Sequence, residues 1–295
     1  MMKRIGKIIF RTVIIISLSF IVLCFLFDAF VQFRMNDKDV NRFFAEKHLD
    51  ANLHYYDANN RAIRYLSIGK DTSTAVLFIH GAPSSLTYWK DYLSDSSLLS
   101  NFSMCAVDRP GYGYSGFGKP LTSIQDQAAC IKPILDSLHK TNKPVILVAA
   151  SYGTAIACRL TMDYPDLVNG LVLIAPALAP GEEKTYWFTP IIEAGHLYWF
   201  VPRMFVSANS EKVHHKKELE KMLPYWQNIH VPVEYIQGAD DGLVYTSNAA
   251  FAKEHLTNVP YLNIEFIPKR GHLLAFKEKE KIKKVILGMK SRVKG

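Results

Sequence analysis

Ser151 stands where an apolar run, residues 145–150, gives way at once to a helix-forming run that begins at Tyr152. A serine on so sharp a strand-to-helix turn has a strained backbone. Only small neighbours leave room for the turn, and Ala149 and Gly153 lie two before and two after it. The hydroxyl would then project at a helix N-terminus, whose free N–H groups favour developing negative charge. That is the geometry of a nucleophile. A plain helix N-cap is the other reading of the same serine, and Ala149 breaks the strict Gly-x-Ser-x-Gly form. Two more groups invite attention. Gly238-Ala239-Asp240-Asp241-Gly242-Leu243-Val244 offers a carboxylate in a turn, and Gly271-His272 offers an imidazole behind a glycine. A hydroxyl, an imidazole and a carboxylate are the groups that nucleophilic catalysis brings together.

The elements that must position them follow from the pattern of apolar runs. Residues 52–57 and 62–68 alternate and read as a hairpin. Short continuous apolar runs at 75–79, 102–107, 145–150, 171–175, 233–236 and 262–267 read as strands. Helix-period stretches at 86–93, 123–138, 152–163, 247–256 and 276–288 fall between or after them. This alternation predicts an α/β fold: a mostly parallel, eight-stranded sheet with helices on both faces. In such a sheet catalytic groups lie beyond the carboxyl ends of the strands. His80-Gly81-Ala82-Pro83, Asp108-Arg109-Pro110-Gly111, Ser151, the Gly238 turn and His272 each follow a strand. The serine, the acid and the histidine thus come in that order at three strand ends. Residues 179–228 contain no convincing strand and are rich in aromatics, including Tyr186, Trp187, Phe188, Tyr198, Trp199, Phe200 and Phe205. They read as an inserted helical cap.

Charge narrows the function class. The net charge of +8 is concentrated at the ends, +4 in residues 1–11 and +6 in residues 277–295, which leaves residues 12–276 at −2. A nucleic-acid enzyme would need a basic face with aromatic platforms, so nucleic acid is not an expected partner. Gly111-x-Gly113-x-x-Gly116 matches a dinucleotide fingerprint only formally, because no helix opens after it. Of the four cysteines, Cys24 lies in the N-terminal apolar run. Cys105, Cys130 and Cys158 show no metal-ligand spacing and read as buried free thiols. No metal and no organic cofactor is expected.

Residues 12–27 carry no charge and make about 24 Å of helix. Residues 8–10 extend this to ~30 Å, a bilayer core, with Arg11 snorkelling. Four basic residues precede the run, which places the N-terminus in the cytoplasm and the body outside it. A cleaved secretory signal is the alternative, but no small-x-small site follows the run. The expected organisation is a signal anchor at 8–27, a connector at 34–51, a core in two parts at 52–178 and 229–290, and the cap at 179–228.

Taken jointly, HGAP (80–83), DRPGYGYSG (108–116), AASYG (149–153), GADDGLV (238–244) and GH (271–272) resemble the α/β-hydrolase fold family, in its small, capped lipase/esterase-like branch. The resemblance spans roughly residues 52–290; Ala149 and Thr154 depart from glycines common there. It implies a serine hydrolase in which Ser151 attacks an acyl carbonyl, His272 moves the proton and Asp241 orients the imidazole. The backbone N–H groups of Ala82 and Tyr152 would receive the oxyanion. Counting from Gly238 favours Asp241 over Asp240. His80 reads as a brace for its turn, and His214-His215, in a charged stretch, as surface. Trp187, Phe188, Trp199 and Phe200 are the expected pocket residues. The expected substrate is a small carboxylic ester with an apolar acyl group, lipid-like esters included. Epoxide hydrolases and haloalkane dehalogenases would usually place Asp where Ser151 stands. A proline-releasing aminopeptidase (with Glu182, Glu183 or Glu193 capturing an amino group), a thioesterase and a C–C bond hydrolase remain alternatives. So does a non-catalytic binding protein of the same fold.

Overall fold

The computed structural model describes residues 2–70, 73–195 and 198–293. Eight strands form one sheet: β1 (Ala51–Ala58), β2 (Arg61–Ile68), β3 (Ala75–Ile79), β4 (Ser103–Val107), β5 (Val145–Ala150), β6 (Gly170–Ile174), β7 (Val233–Gly238) and β8 (Leu262–Ile267). Their order is β1-β2-β4-β3-β5-β6-β7-β8. β1 and β2 pair antiparallel through a tight turn in which Asn59 and Asn60 both take positive φ, and β2 meets β4 antiparallel. From β4 to β8 every pairing is parallel.

The strand sequences explain this. β3, β5 and β6 are short runs without a polar side chain and with every residue buried, as strands covered on both faces must be. Alternate side chains feed two cores. Leu77, Ile79, Leu147 and Leu173 pack on one face with the helices Ile124–His139 and Tyr152–Asp163. Val76, Phe78, Ile146 and Val148 pack on the other with Trp89, Tyr92 and the helix Lys279–Arg292. Truncating one such residue, as in Leu147→Ala, costs about 2–5 kcal/mol through lost burial and the cavity left behind. Cys105, Cys130 and Cys158 are buried free thiols in these layers.

Element ends differ from the sequence reading by small, local amounts. The helix expected over 276–288 breaks at Glu278 into Leu274–Lys277 and Lys279–Arg292. The stretch 86–93 begins as a 3-10 turn, Leu86–Trp89, before one α turn. The connector forms the helix Asp37–Ala45, started by Asn36, whose side chain accepts from the Asp39 N–H. The first helix runs Met2–Phe30, beyond the apolar run at both ends. It is long and apolar enough to cross a membrane, and its apolar side chains are largely uncovered by the rest of the chain.

Between β6 and β7 the chain leaves the sheet. This insertion holds the short helix Thr189–Glu193, the turn Tyr198–Phe200, the long helix Arg203–Met222 and the turn Leu223–Asn228. It lies over the carboxyl ends of the strands, where Ser151 and His272 line the same cavity as Phe188 and Phe205.

Candidate functional site

Ser151 sits between β5 and the helix Tyr152–Asp163 with φ 51° and ψ −127°, a strained conformation for a residue with a side chain. Three contacts hold it there. The Ser151 N–H donates to the Ile174 carbonyl at 2.9 Å, extending the β5–β6 ladder one residue past the strands. A Cβ on Gly153 would lie 2.5 Å from the His80 carbonyl oxygen, so the helix can approach β3 this closely only with glycine there. Thr154 donates its hydroxyl to the Ser151 carbonyl at 2.5 Å and accepts from the Ala177 N–H at 3.1 Å. Its hydroxyl therefore ties the turn to the start of the insertion, a role that glycine would not supply.

The turn after β7 and the loop after β8 meet behind Ser151. A Cβ on Gly238 would fall 2.2 Å from the Arg270 carbonyl, and the Asp240 N–H donates to that same oxygen at 2.9 Å. This close packing presents Asp241 and His272 to each other. Asp241 Oδ2 lies 2.8 Å from His272 Nδ1, and His272 Nε2 lies 2.9 Å from Ser151 Oγ. Asp241 Oδ1 accepts from the backbone N–H groups of Leu243 and Val244 at 2.9 and 3.0 Å. Burial would push the Asp241 carboxyl up. The hydrogen bond and charge of His272, with those two N–H donors, outweigh it and hold the group below the usual carboxylate range. An ionised carboxylate only accepts, which puts the imidazole proton on Nδ1 and leaves Nε2 to accept from the serine hydroxyl. Asp241 is 7% exposed, whereas Asp240 is exposed and its carboxylate has no hydrogen-bond partner among the described residues. The N–H groups of Ala82 and Tyr152 likewise donate to no protein acceptor among the described residues.

A buried polar cluster braces the Ala82 side of the site. Arg109 donates from Nε to the His80 carbonyl at 2.8 Å and from Nη2 to the Gly81 carbonyl at 3.1 Å. The Arg109 N–H donates to His80 Nε2 at 3.0 Å, so the His80 proton sits on Nδ1 and points at the Gly81 carbonyl. Burial and the neighbouring Arg109 charge push His80 well below its ordinary value, so it is neutral. It braces its turn, as its sequence position implied. The counter-charge for Arg109 comes from the insertion. Glu211 on the helix Arg203–Met222 is 1% exposed and grips the guanidinium with both oxygens, at 2.6 and 3.1 Å. Tyr112 and Gln127 donate to the same carboxylate. Sequence reading missed this pair because Glu211 lies in a stretch of charged residues with the look of a solvated face. His215, read as surface, is 1% exposed: its ring packs on Tyr152 and its Nδ1 meets Glu183 at 2.9 Å. A tertiary partner reverses the local expectation in both cases.

Above Ser151 and His272 lies a cavity of about 520 Å³. Its walls are mainly apolar, with Phe188, Ile192, Val201, Phe205 and Leu243 among them. Of the four expected pocket residues, Phe188 lines it. Trp187 does not and is 82% exposed, because the chain turns it outward while its ring touches Phe188 from outside. Phe200 does not either; its ring lies on Phe20 of the first helix. The Trp199 side chain lies outside the described residues. Phe205, Ile192 and Val201 supply walls that only the helix packing reveals. Glu183 reaches the cavity, but its carboxylate is engaged by His215 and by Lys212 at 3.2 Å. Glu182 accepts from Ser247 and Glu193 from Ser210. Among the described residues no group of three or more His, Cys, Asp or Glu could hold a metal ion.

Residues 74–205 match a family model described as alpha/beta hydrolase fold. The sequence is similar to "Probable lysophospholipase BODYGUARD 3" of Arabidopsis thaliana, 37% identical over 116 residues, which is 37% of this chain and 23% of that one. It is also similar to a haloalkane dehalogenase of Bradyrhizobium diazoefficiens, 31% identical over 114 residues, 38% of this chain and 35% of that one. The matches thus span only 23% and 35% of these two relatives' length. Among solved structures, a bacterial membrane phospholipase A superposes over 98% of this chain and 99% of its own, with a TM-score of 0.66 and 17% identity. At that identity the likeness is one of fold.

Proposed function

We propose that this chain is a membrane-anchored serine hydrolase of the α/β-hydrolase fold family that cleaves carboxylic esters with apolar acyl groups. One observation carries the proposal: the unbroken hydrogen-bonded chain from Ser151 through His272 to Asp241, at the floor of an apolar cavity. Ser151 Oγ attacks the ester carbonyl carbon as its proton passes to His272 Nε2. Asp241 holds the imidazole by Nδ1 and stabilises its cationic form. The negative charge on the former carbonyl oxygen is received by the N–H groups of Ala82 and Tyr152, each such donor contributing about 3–4 kcal/mol to the transition state. Collapse breaks the bond to the alcohol, which leaves with the proton from Nε2. A water molecule then repeats the sequence on the acyl-enzyme, releasing the acid and restoring the serine.

Ser151 at the elbow favours this reading over the dehalogenase relative's chemistry, since a serine that displaced halide would form an ether that water does not resolve, whereas an acyl-serine ester is hydrolysed at its acyl carbon. The engaged carboxylates of Glu182, Glu183 and Glu193 leave an amino-capturing site without support. A relative named as a probable lysophospholipase supports a lipid-like ester as substrate. The segment 8–27 would be the anchor, with the cytoplasm on its basic side and the catalytic body on the other.

The test is hydrolysis of esters of graded acyl length by the full chain. From acetate to hexanoate four methylenes enter the cavity at ~0.8 kcal/mol each. kcat/KM should climb by up to about two orders of magnitude and then level off as the cavity fills. A flat profile contradicts the apolar acyl site. Preference for aminoacyl arylamides would move the reading to an aminopeptidase.

A further inference from the structure

We propose that residues 186–195 and 198–201 of the insertion form a second membrane contact, sunk into the leaflet next to the first helix, so that the cavity receives its ester directly from the lipid. The proposal rests on the reading of that helix as a membrane anchor.

The argument begins with how firmly the helix is joined to the body. Asp28 accepts from the Arg203 backbone N–H at 2.7 Å and from Arg203 Nε at 2.8 Å. Arg34 donates to the Gly113 carbonyl at 2.7 Å and lies over the Phe117 ring, and the Phe33 carbonyl accepts from Ser85. The helix is therefore held at a set angle to the body, and depth along it can be transferred to whatever touches it.

Asp28 is the first charge after the uncharged run 12–27, so the Asp28–Arg203 pair marks the headgroup level. Phe20 lies eight residues earlier, about 12 Å deeper at the rise of an α-helix. The Phe200 ring rests on Phe20, with centroids 5.5 Å apart. Hence a helix that spans the bilayer carries Phe200 below the headgroups into hydrocarbon.

The rest of the stretch has the composition for that place. Residues 186–201 contain no Lys, Arg or Asp, and their one carboxylate, Glu193, accepts from Ser210. Trp187, Phe188, Ile191 and Tyr198 are exposed. An exposed tryptophan beside other aromatic rings is unfavourable in water and favoured at the boundary of a bilayer. The same stretch, through other side chains and Phe188, borders the cavity. Tyr186, Phe188 and Val201 line it together with Phe205, whose ring centroid lies 6.4 Å from that of Phe33, just past the first helix. An acyl chain leaving the leaflet between these walls would reach Ser151 without crossing water.

The experiment uses the full chain in phosphatidylcholine vesicles whose acyl chains are brominated, reading tryptophan emission in a Trp199→Phe background. Trp89 and Trp226 are buried in the body and serve as the unquenched reference. Brominated lipid should quench the emission, and adding Trp187→Phe should abolish most of that quenching. Absence of quenching in protein that resists carbonate extraction overturns the proposal and leaves the anchor intact, as would happen if a second copy of the chain covered this face. Release by carbonate removes the anchor and the proposal together. A kinetic arm reads function. Trp187→Ser should lower hydrolysis of a long-chain monoacyl ester in vesicles about tenfold and leave a water-soluble butyrate ester within about twofold. Equal loss on both substrates, or no loss on either, overturns lateral delivery. If neither ester is cleaved by the parent chain, the proposed function fails while the quenching still decides the membrane contact.

Discussion

Replacing Glu211 by Gln removes one negative charge from a site that is buried from solvent. Arg109 is fully buried, and four hydrogen bonds converge on the Glu211 carboxylate: two from Arg109, one from Tyr112 and one from Gln127. Glutamine keeps the shape but turns one acceptor oxygen into a donor, which then faces other donors. Breaking a buried ion pair on one side costs about 3–5 kcal/mol, because the remaining charge stays desolvated. The carbonyls of His80 and Gly81 still solvate the guanidinium, so the low end, ~3 kcal/mol, is expected. For a body of this size that lowers Tm by about 6–12 °C. The assay is thermal unfolding of the detergent-solubilised chain by circular dichroism at pH 7. Glu220→Gln, on the exposed side of the same helix, serves as control and should shift Tm by less than about 2 °C. Because Arg109 also holds the carbonyls of the turn that carries Ala82, kcat should fall as well. A shift for Glu211→Gln no larger than that of the control would refute the buried clasp.

Asp241→Asn should lower kcat by several orders of magnitude, roughly 10⁴-fold as in other sites of this geometry, while Asp240→Asn should stay within about threefold of the parent; equal effects in steady-state kinetics contradict the assignment. His80 is kept neutral in the folded chain by burial and by Arg109, whereas in the unfolded chain it titrates near its ordinary value. Below about pH 6.5 the unfolded state therefore binds one more proton, and stability falls by up to ~1.4 kcal/mol per pH unit from this residue. Urea unfolding between pH 7 and 5 should show that slope reduced by about one proton in His80→Gln; an unchanged slope contradicts it.

Much of the fold was legible because its signals are local. The short apolar runs of β3, β5 and β6, separated by helix-period stretches, read as buried strands, and the two alternating runs before them read as a hairpin. Ser151, Asp241 and His272 stood out as candidates by their place after strands, and the sheet order brings their side chains within hydrogen-bond reach of one another. The insertion was less legible. Whether Glu211 is solvated or buried depends on Arg109, a hundred residues away, and nothing near either residue encodes the pairing. The aromatics misled for the same reason. Trp187, Phe188 and Phe200 share a composition, but which ring faces the cavity, the solvent or the first helix is decided by how the short helix Thr189–Glu193 packs on Arg203–Met222.

The most direct test of the central claim is covalent labelling with a fluorophosphonate, which reacts only with a serine hydroxyl activated by its neighbours. Peptide mapping of the labelled full chain should place the adduct on Ser151. Ser151→Ala should abolish labelling and His272→Ala should slow it by orders of magnitude, with the fold intact by circular dichroism. An adduct on another residue, or ester hydrolysis that persists undiminished in Ser151→Ala, would contradict the account.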